Sequence, residues 1–289
     1  MDLIIIGTLV KGGIYALLAV GFSLIFGVAR LINLAHTGFY MLAAYGVWYF
    51  CTQLGLGIAE SIIISVVAVT LLGTLSYRFI IDRIREHHAA VLLITLGLAM
   101  VFEQLMYMFF TGDYQTIPDY VSGYVEILGV RVTNQYVLLL SIVAVMIIVV
   151  MLFLTKTKLG TAIRATANDA EVASLMGISV PRTLMVTMGI ATFLGAVAGV
   201  TMAPSVIISP GLWNSPLVMM MVIVVLGGLG SIRGSIIGAF IIGFVETLIT
   251  VTLPAGGYLK TTFVLLVMVI VLIVRPGGLF GIILEEERL

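Results

Sequence analysis

The sequence predicts an all-α integral membrane protein, a polytopic helical bundle of about 8–10 transmembrane helices. Three observations carry that prediction. The chain of 289 residues is 61% hydrophobic and 10% charged, where soluble domains carry roughly 25% charged residues. Its mean hydropathy is +1.24. Its apolar runs recur at lengths close to the ~20 residues that cross a bilayer.

Those runs fall at 3–27, 37–52, 58–77, 88–110, 135–154, 183–206, 216–232, 234–252 and 259–274. Several are short. The run at 216–232 is bracketed by "SPGLWNSP" and a glycine cluster, so 207–232 reads either as a span or as a broken, re-entrant helix. The opening "MDLIIIGTLVKGG" places an acid before its apolar run and shows no small-residue cleavage site, so a retained first span is expected rather than a removable signal peptide. The whole of 1–289 reads as a single transmembrane domain with a polar segment at 155–182 and a polar interval at 111–134.

Orientation follows from Lys and Arg, which accumulate in cytoplasmic loops. With the polar segment inside, alternation of spans puts Arg30, Arg78, Arg83, Arg85, Lys156, Lys158, Arg164, Arg182, Arg233, Arg275 and Arg288 on the cytoplasmic side. Only Arg131 and Lys260 fall outside, and Lys11 lies within the first span. The expected topology is N-terminus out and C-terminus in. The interval 111–134 carries Asp113, Asp119 and Glu126 against one arginine, as an outer loop should.

The segment Gly160–Ile178, "GTAIRATANDAEVASLMGI", is the longest polar interval. Asn168 followed three residues later by Glu171 has the form of a capping box, and Gly177 supplies a helix stop. The helix between them, about eight residues, has one apolar stripe of Val172, Leu175 and Met176 at i, i+3 and i+4, with Glu171 and Ser174 off it. So short a helix is marginal alone, because nucleation is costly. Its stripe either packs back on the ends of the spans or docks a partner.

The pattern Gly160, Ala162, Arg164, Ala165, Asp169, Ala173, Gly177, Ile178 resembles the cytoplasmic coupling segment of the branched-chain amino-acid ABC importer permeases. "GGIYALLAVGFSLIFGVARLINLAHTGFYMLAAYG" is similar to that family's first two spans, "VLGGLGSIRGSIIGAFIIGFVE" to its glycine-rich penultimate region, and "RPGGLFG" to its C-terminal tail. The four blocks stand in the family's order over most of the chain. One departure is that His36 is followed by Thr37 and Gly38 where the family often has an acidic or small residue.

The resemblance implies a permease subunit of the bacterial cytoplasmic membrane. It would pair with a second homologous permease, two cytoplasmic ATPase subunits and a periplasmic or lipid-anchored substrate-binding protein. Coupling to the ATPases would run through Arg164, Asp169, Ala170, Glu171, Ala173, Leu175, Met176 and Gly177. Relatives of the same family import urea or short amides, which is the nearest alternative. A self-sufficient channel or secondary transporter would lack a use for the docking-like segment and predicts paired broken helices in repeated halves; a purely structural membrane subunit would leave the segment without a purpose.

Polar groups inside the spans come next. Glu103 and Glu246 each lie within an apolar run, where an ionised carboxylate costs roughly 2.5–3.5 kcal/mol, so each should face the bundle interior or a wet cavity. Each is a candidate for the translocation path or for an interhelical hydrogen bond. Gln104 points to a different face. In "RLINLAH", Arg30, Asn33 and His36 recur every third residue, and the expected structure is a tight elbow whose polar groups satisfy broken backbone. Gly230, Gly234 and Gly238, preceded by Gly227 and Gly228, form either a smooth strip for helix packing or a hinge; Arg233 within the run favours the turn.

No enzyme is expected. The chain lacks a Walker A sequence, Gly-x-Ser-x-Gly and His-Glu-x-x-His. His36 has no metal-ligand partners at suitable spacing, and Cys51 is alone. The pair His87 and His88 sits with Arg83, Arg85 and Glu86 in a charged loop. Fourteen basic residues balance fourteen acidic ones, so no net field attracts nucleic acid. No cofactor is expected on this chain; ATP would be bound by the partner subunits.

Overall fold

A computed structural model describes residues 2–127 and 130–280. Each expected apolar run lies on a helix. In order these are α1 (Asp2–Ala29), α2 (His36–Trp48) continuing through a π-turn (Tyr49–Gln53), α3 (Ile58–Ser76) with a π-turn (Tyr77–Ile81) and the one-turn α4 (Asp82–Ile84), and α5 (His88–Phe110). A hairpin of β1 (Tyr124–Ile127) and β2 (Val130–Thr133) leads into α6 (Asn134–Lys156). The polar segment forms α7 (Lys158–Asn168) and α8 (Ala170–Leu175), after which come α9 (Val180–Met202), α10 (Asn214–Gly227), α11 (Ile232–Thr252) and α12 (Gly256–Val274).

Seven of these helical stretches, Leu3–Ala29, Ile58–Ile84, His88–Phe110, Asn134–Lys156, Val180–Ser205, Ile232–Thr252 and Gly256–Val274, are long and apolar enough to cross a membrane. The two runs short of that standard are α2 and α10, of 13 and 14 residues. At 1.5 Å per residue α10 reaches only about 20 Å, against ~30 Å of hydrocarbon, whereas α2 with its π-turn runs on to Gln53 and falls short in apolar content. Both are interior helices: eleven of the thirteen α2 residues are buried. A short helix is tolerated at membrane depth when protein surrounds it, because its terminal backbone groups then find protein partners. Around them the long spans grade from interior to peripheral: 72% of the α9 window is buried and only 6% of α12.

Glycine sets how closely the central helices approach. A Cβ on Gly243 of α11 would lie 2.7 Å from the Gly12 nitrogen and 2.9 Å from the Gly12 Cα of α1. The pair therefore packs backbone against backbone, the close approach that small residues permit between membrane helices. Buried Ser23 and Ser235 hydrogen-bond across the same α1–α11 contact. The run at 216–232 forms a 14-residue helix ending at Gly227, followed by a turn. Gly228 and Gly230 have φ of +97° and +81°, a left-handed backbone that stops α10 and rules out one continuous glycine strip.

The helix order brings the loops 30–35, 85–87, 157–179 and 228–231 to one end, with Arg275 and the segment after it. Gly27 touches Gly230, and the backbone N–H groups of Leu279 and Phe280 donate to the carbonyls of Leu226 (2.8 Å) and Gly227 (3.1 Å). This is the basic end. Arg288 and Gly281, the last residue of the tail block, lie outside the described residues.

The opposite end holds the interval 111–134, which forms a β-hairpin that sequence periodicity did not announce. Tyr120 and Gln135 moor it. Gln135 accepts from the Tyr120 N–H and donates to the Thr201 carbonyl, and the Tyr120 hydroxyl donates to the Val200 carbonyl at 2.8 Å.

Candidate functional site

The polar segment is a pair of short helices, each with its own cap. Thr157 Oγ1 accepts from the Gly160 N–H at 2.9 Å and starts α7. Gly160, Ile163 and Thr166 of α7 are buried, while Arg164 is exposed. Asp169 then breaks the helix with an extended backbone (φ −157°, ψ 111°), and its Oδ1 accepts from the N–H groups of both Glu171 and Val172 at 2.9 Å. The capping residue is thus Asp169, one position after the expected Asn168, because Asn168 is still the last residue of α7. That shift leaves α8 with six residues instead of about eight.

At its other end Gly177 takes φ +84°. The Ile178 N–H donates to the Ala173 carbonyl and the Gly177 N–H to the Ser174 carbonyl, both at 3.0 Å. This pair of bonds is a Schellman motif, closed on both sides by backbone geometry. A six-residue helix that would not survive alone is held by its two caps and by one inward side chain, Ala173, 4% exposed.

The rest of α8 faces away. Val172, Leu175 and Met176 are 54%, 82% and 79% exposed, so the apolar stripe does not pack back on the spans. Asp169, Ala170, Glu171 and Gly177 are exposed beside it.

Glu246 occupies the opposite setting. It is 1% exposed, and its Oε1 accepts from Lys11 Nζ at 3.0 Å and from Lys260 Nζ at 2.9 Å, while Oε2 accepts from the Tyr15 hydroxyl at 2.7 Å. One carboxylate therefore ties α1, α11 and α12 together. Sequence reading singled out Glu246 but not its two lysines, which stand 235 and 14 residues away. A signal was present in Lys11, a cation inside an apolar run with no local partner.

Glu103 of α5 is partly buried and accepts from the indole N–H of Trp213 at 2.9 Å, which makes it an interhelical anchor to the 203–213 connection. Gln104 is exposed. The two carboxylates serve separate contacts and are not brought together.

The elbow forms as expected, although not as a helix. The chain leaves α1 at Arg30 with φ +56°, and residues 30–35 are non-helical. Asn33 Oδ1 accepts from the Ala35 N–H at 3.1 Å, and its amide reaches Met188 Sδ at 3.5 Å on α9. His36 is fully buried between α1 and α9: a Cβ on Gly21 would lie 2.9 Å from its ring, and one on Gly195 3.4 Å. Arg30, Asn33 and His36 therefore share a turn rather than a helix face.

The glycines divide between two tasks. Gly227, Gly234 and Gly238 let α10 and α11 meet: a Cβ on Gly227 would lie 2.7 Å from the Ser235 nitrogen, and one on Gly238 2.9 Å from the Ile223 carbonyl. Gly228 and Gly230 make the turn between these helices.

This arrangement offers a rigid, polar-flanked apolar knob at the basic end and a fully paired charge cluster within the bundle. The high-affinity branched-chain amino acid transport system permease protein BraD of Pseudomonas aeruginosa is 26% identical over 96% of this chain and 94% of its own. The corresponding permease protein LivH of Escherichia coli strain K12 is 26% identical over 93% of this chain and 92% of its own. A probable branched-chain amino acid transport permease protein LivH of Methanocaldococcus jannaschii is 25% identical over 97% and 92%. Among solved structures, a chain of PsaBC from Streptococcus pneumoniae in complex with Fab covers 91% of this chain and 89% of its own at 14% identity, with a TM-score of 0.48 that falls short of a shared fold. The family model described as the permease component of the branched-chain amino acid transport system matches residues 4–272, and the chain belongs to that family.

Proposed function

We propose that the chain is the transmembrane subunit of an ABC importer that carries branched-chain amino acids across the cytoplasmic membrane, with ATP hydrolysed on separate subunits that dock on α8. The observation that carries this reading is the exposed Val172, Leu175 and Met176 stripe on a helix fixed at both ends. Three large apolar side chains held in a polar segment are a feature that a partner's groove would cover. The names of the relatives support the substrate class.

The clustering of basic residues at the α8 end supports placing that end in the cytoplasm, with the N-terminus outside. Binding of ATP would draw two ATPases together and push α8. The Gly160 turn, packed on the backbone of Phe153 and Leu154 at the end of α6, and Ile178 at the start of α9, would pass that push to the spans. ATP shifts the balance only through its different affinity for the two states. A second permease and a substrate-binding protein outside complete the proposed assembly.

The test is co-expression with the neighbouring genes, purification in mild detergent and mass spectrometry of what stays bound. Two ATPase subunits and a second permease are expected, lost when Leu175 is made Asp. Recovery of the chain alone, folded and active in uptake, would overturn the proposal. Uptake of leucine but not urea separates the branched-chain reading from the amide alternative.

A further inference from the structure

A cavity at the basic end is not used by any step above. It holds about 560 Å³ between the end of α3, with its π-turn, and the start of α9, and is lined by Tyr77, Arg78, Asp82, Arg83, Ser179 and Arg182 among others. Three of its lining residues are therefore arginines, all of them exposed. Asp82 is its one carboxylate, and it is engaged by Arg85 at 3.4 Å and by the Tyr77 hydroxyl at 3.4 Å. Among the described residues, Arg78, Arg83 and Arg182 have no carboxylate at ion-pair distance.

The α9 start adds to this field. No side chain caps it, since Ser179 makes no cap bond, and a helix of 23 residues brings the positive end of its dipole beside Ser179 and Arg182, although Pro181 contributes no N–H. Arginines converging with a helix N-terminus suit a phosphate oxyanion, which takes forked N–H bonds as a carboxylate does.

The surface that leads into the cavity identifies the rest of the ligand. Leu71, Leu75 and Phe79 recur every fourth residue along α3 and its π-turn and are 57%, 48% and 53% exposed. On a membrane span an exposed apolar row of this kind lies against acyl chains. It ends beside Arg78, the first of the lining arginines.

We propose that this cavity is a binding site for the headgroup of an anionic phospholipid, whose chains lie along Leu71, Leu75 and Phe79. The ligand is a membrane lipid and not free phosphate, because the apolar row would otherwise add nothing to the site. The proposal does not depend on the transport substrate or on docking at α8. Because Ser179 and Pro181 follow Ile178 directly, a bound lipid would also brace the joint between α8 and α9.

Native mass spectrometry of the full-length chain released from nanodiscs of mixed phosphatidylglycerol and phosphatidylcholine tests it. The wild type should retain phosphatidylglycerol over phosphatidylcholine. Arg78→Gln with Arg182→Gln should lower that retention about 25-fold, from about five-fold per arginine removed at a membrane surface. Arg131→Gln, at the opposite end, should change nothing. Equal retention of the two lipids by the wild type, a measurement that needs no variant, would overturn the site. So would undiminished phosphatidylglycerol in the double variant. Glycerol 3-phosphate competing as well as the lipid would show an anion site without a chain groove, and would overturn the assignment to lipid.

Discussion

At Glu246 charge sits inside an apolar bundle, and at α8 apolar side chains stand on a polar segment. Each is out of place by composition, yet they differ in how their cost is met. The Glu246 carboxylate spends both oxygens on Lys11, Lys260 and Tyr15 within the chain. Among the described residues, nothing covers Val172, Leu175 and Met176. The lesson is that a misplaced group satisfied internally belongs to the architecture, whereas one left unsatisfied on a rigid support belongs to a partner. The charge cluster ties three helices together, and the stripe is where the proposed partner would dock.

The largest effect is expected at the charge cluster. Glu246→Ala leaves two ammonium groups facing each other without their shared carboxylate, and loss of one member of a buried ion pair costs about 3–5 kcal/mol. Thermal unfolding in detergent should show the variant strongly destabilised or unrecoverable. Lys11→Met should cost less, since Lys260 still pairs with the carboxylate. A Glu246→Ala protein of wild-type stability that had lost transport alone would reassign Glu246 to the substrate path.

Trp213→Phe probes the smaller anchor. It removes the only indole donor to Glu103 and keeps most of the ring volume, for about 1.5–3 kcal/mol, the range for a hydrogen bond to a charged group. The same unfolding assay should register a shift below that of Glu246→Ala. No shift would mean that water replaces the indole and that Glu103 is free for another task.

Asp169→Ala sharpens the other side of the comparison. It deletes the α8 cap, worth about 1 kcal/mol, and only the six-residue helix depends on it. Global unfolding should barely move, while hydrogen exchange at Glu171 and Val172 should quicken and uptake should fall. Unchanged exchange at those two amides would mean that the Gly177 turn alone holds the helix.

Sequence periodicity made the spans legible because lipid imposes a length and a composition that few other constraints imitate. It counted α2 among the spans and left α10 open between a span and a broken helix, since burial by protein and burial by lipid ask for the same apolar residues. The elbow could be read from Asn33, but the place of His36 between Gly21 and Gly195 could not, because that contact depends on tertiary packing. Likewise, the stripe of α8 was visible as a spacing, but whether it faced inward was not. Ala173, placed among the coupling residues by its pattern, turned out to be the inward side chain that holds α8. The cap moved from Asn168 to Asp169 for a local reason, the extra turn of α7, which short-range rules do not resolve.

The most direct measurement of the central claim is ATP-driven leucine uptake by the assembled complex, reconstituted in vesicles with Leu175→Asp and with Ala173→Arg, alongside the unfolding temperature of each. Leu175 is 82% exposed and Ala173 is 4% exposed. Leu175→Asp should leave stability within about 0.5 kcal/mol, as a surface change does, and reduce coupled uptake at least about ten-fold, the loss of roughly 1.4 kcal/mol of docking. Ala173→Arg should fail differently, by lowering the stability of the α8 region. Normal coupled uptake in a folded Leu175→Asp complex would contradict the claim that the exposed face of α8 is where the ATPase engages.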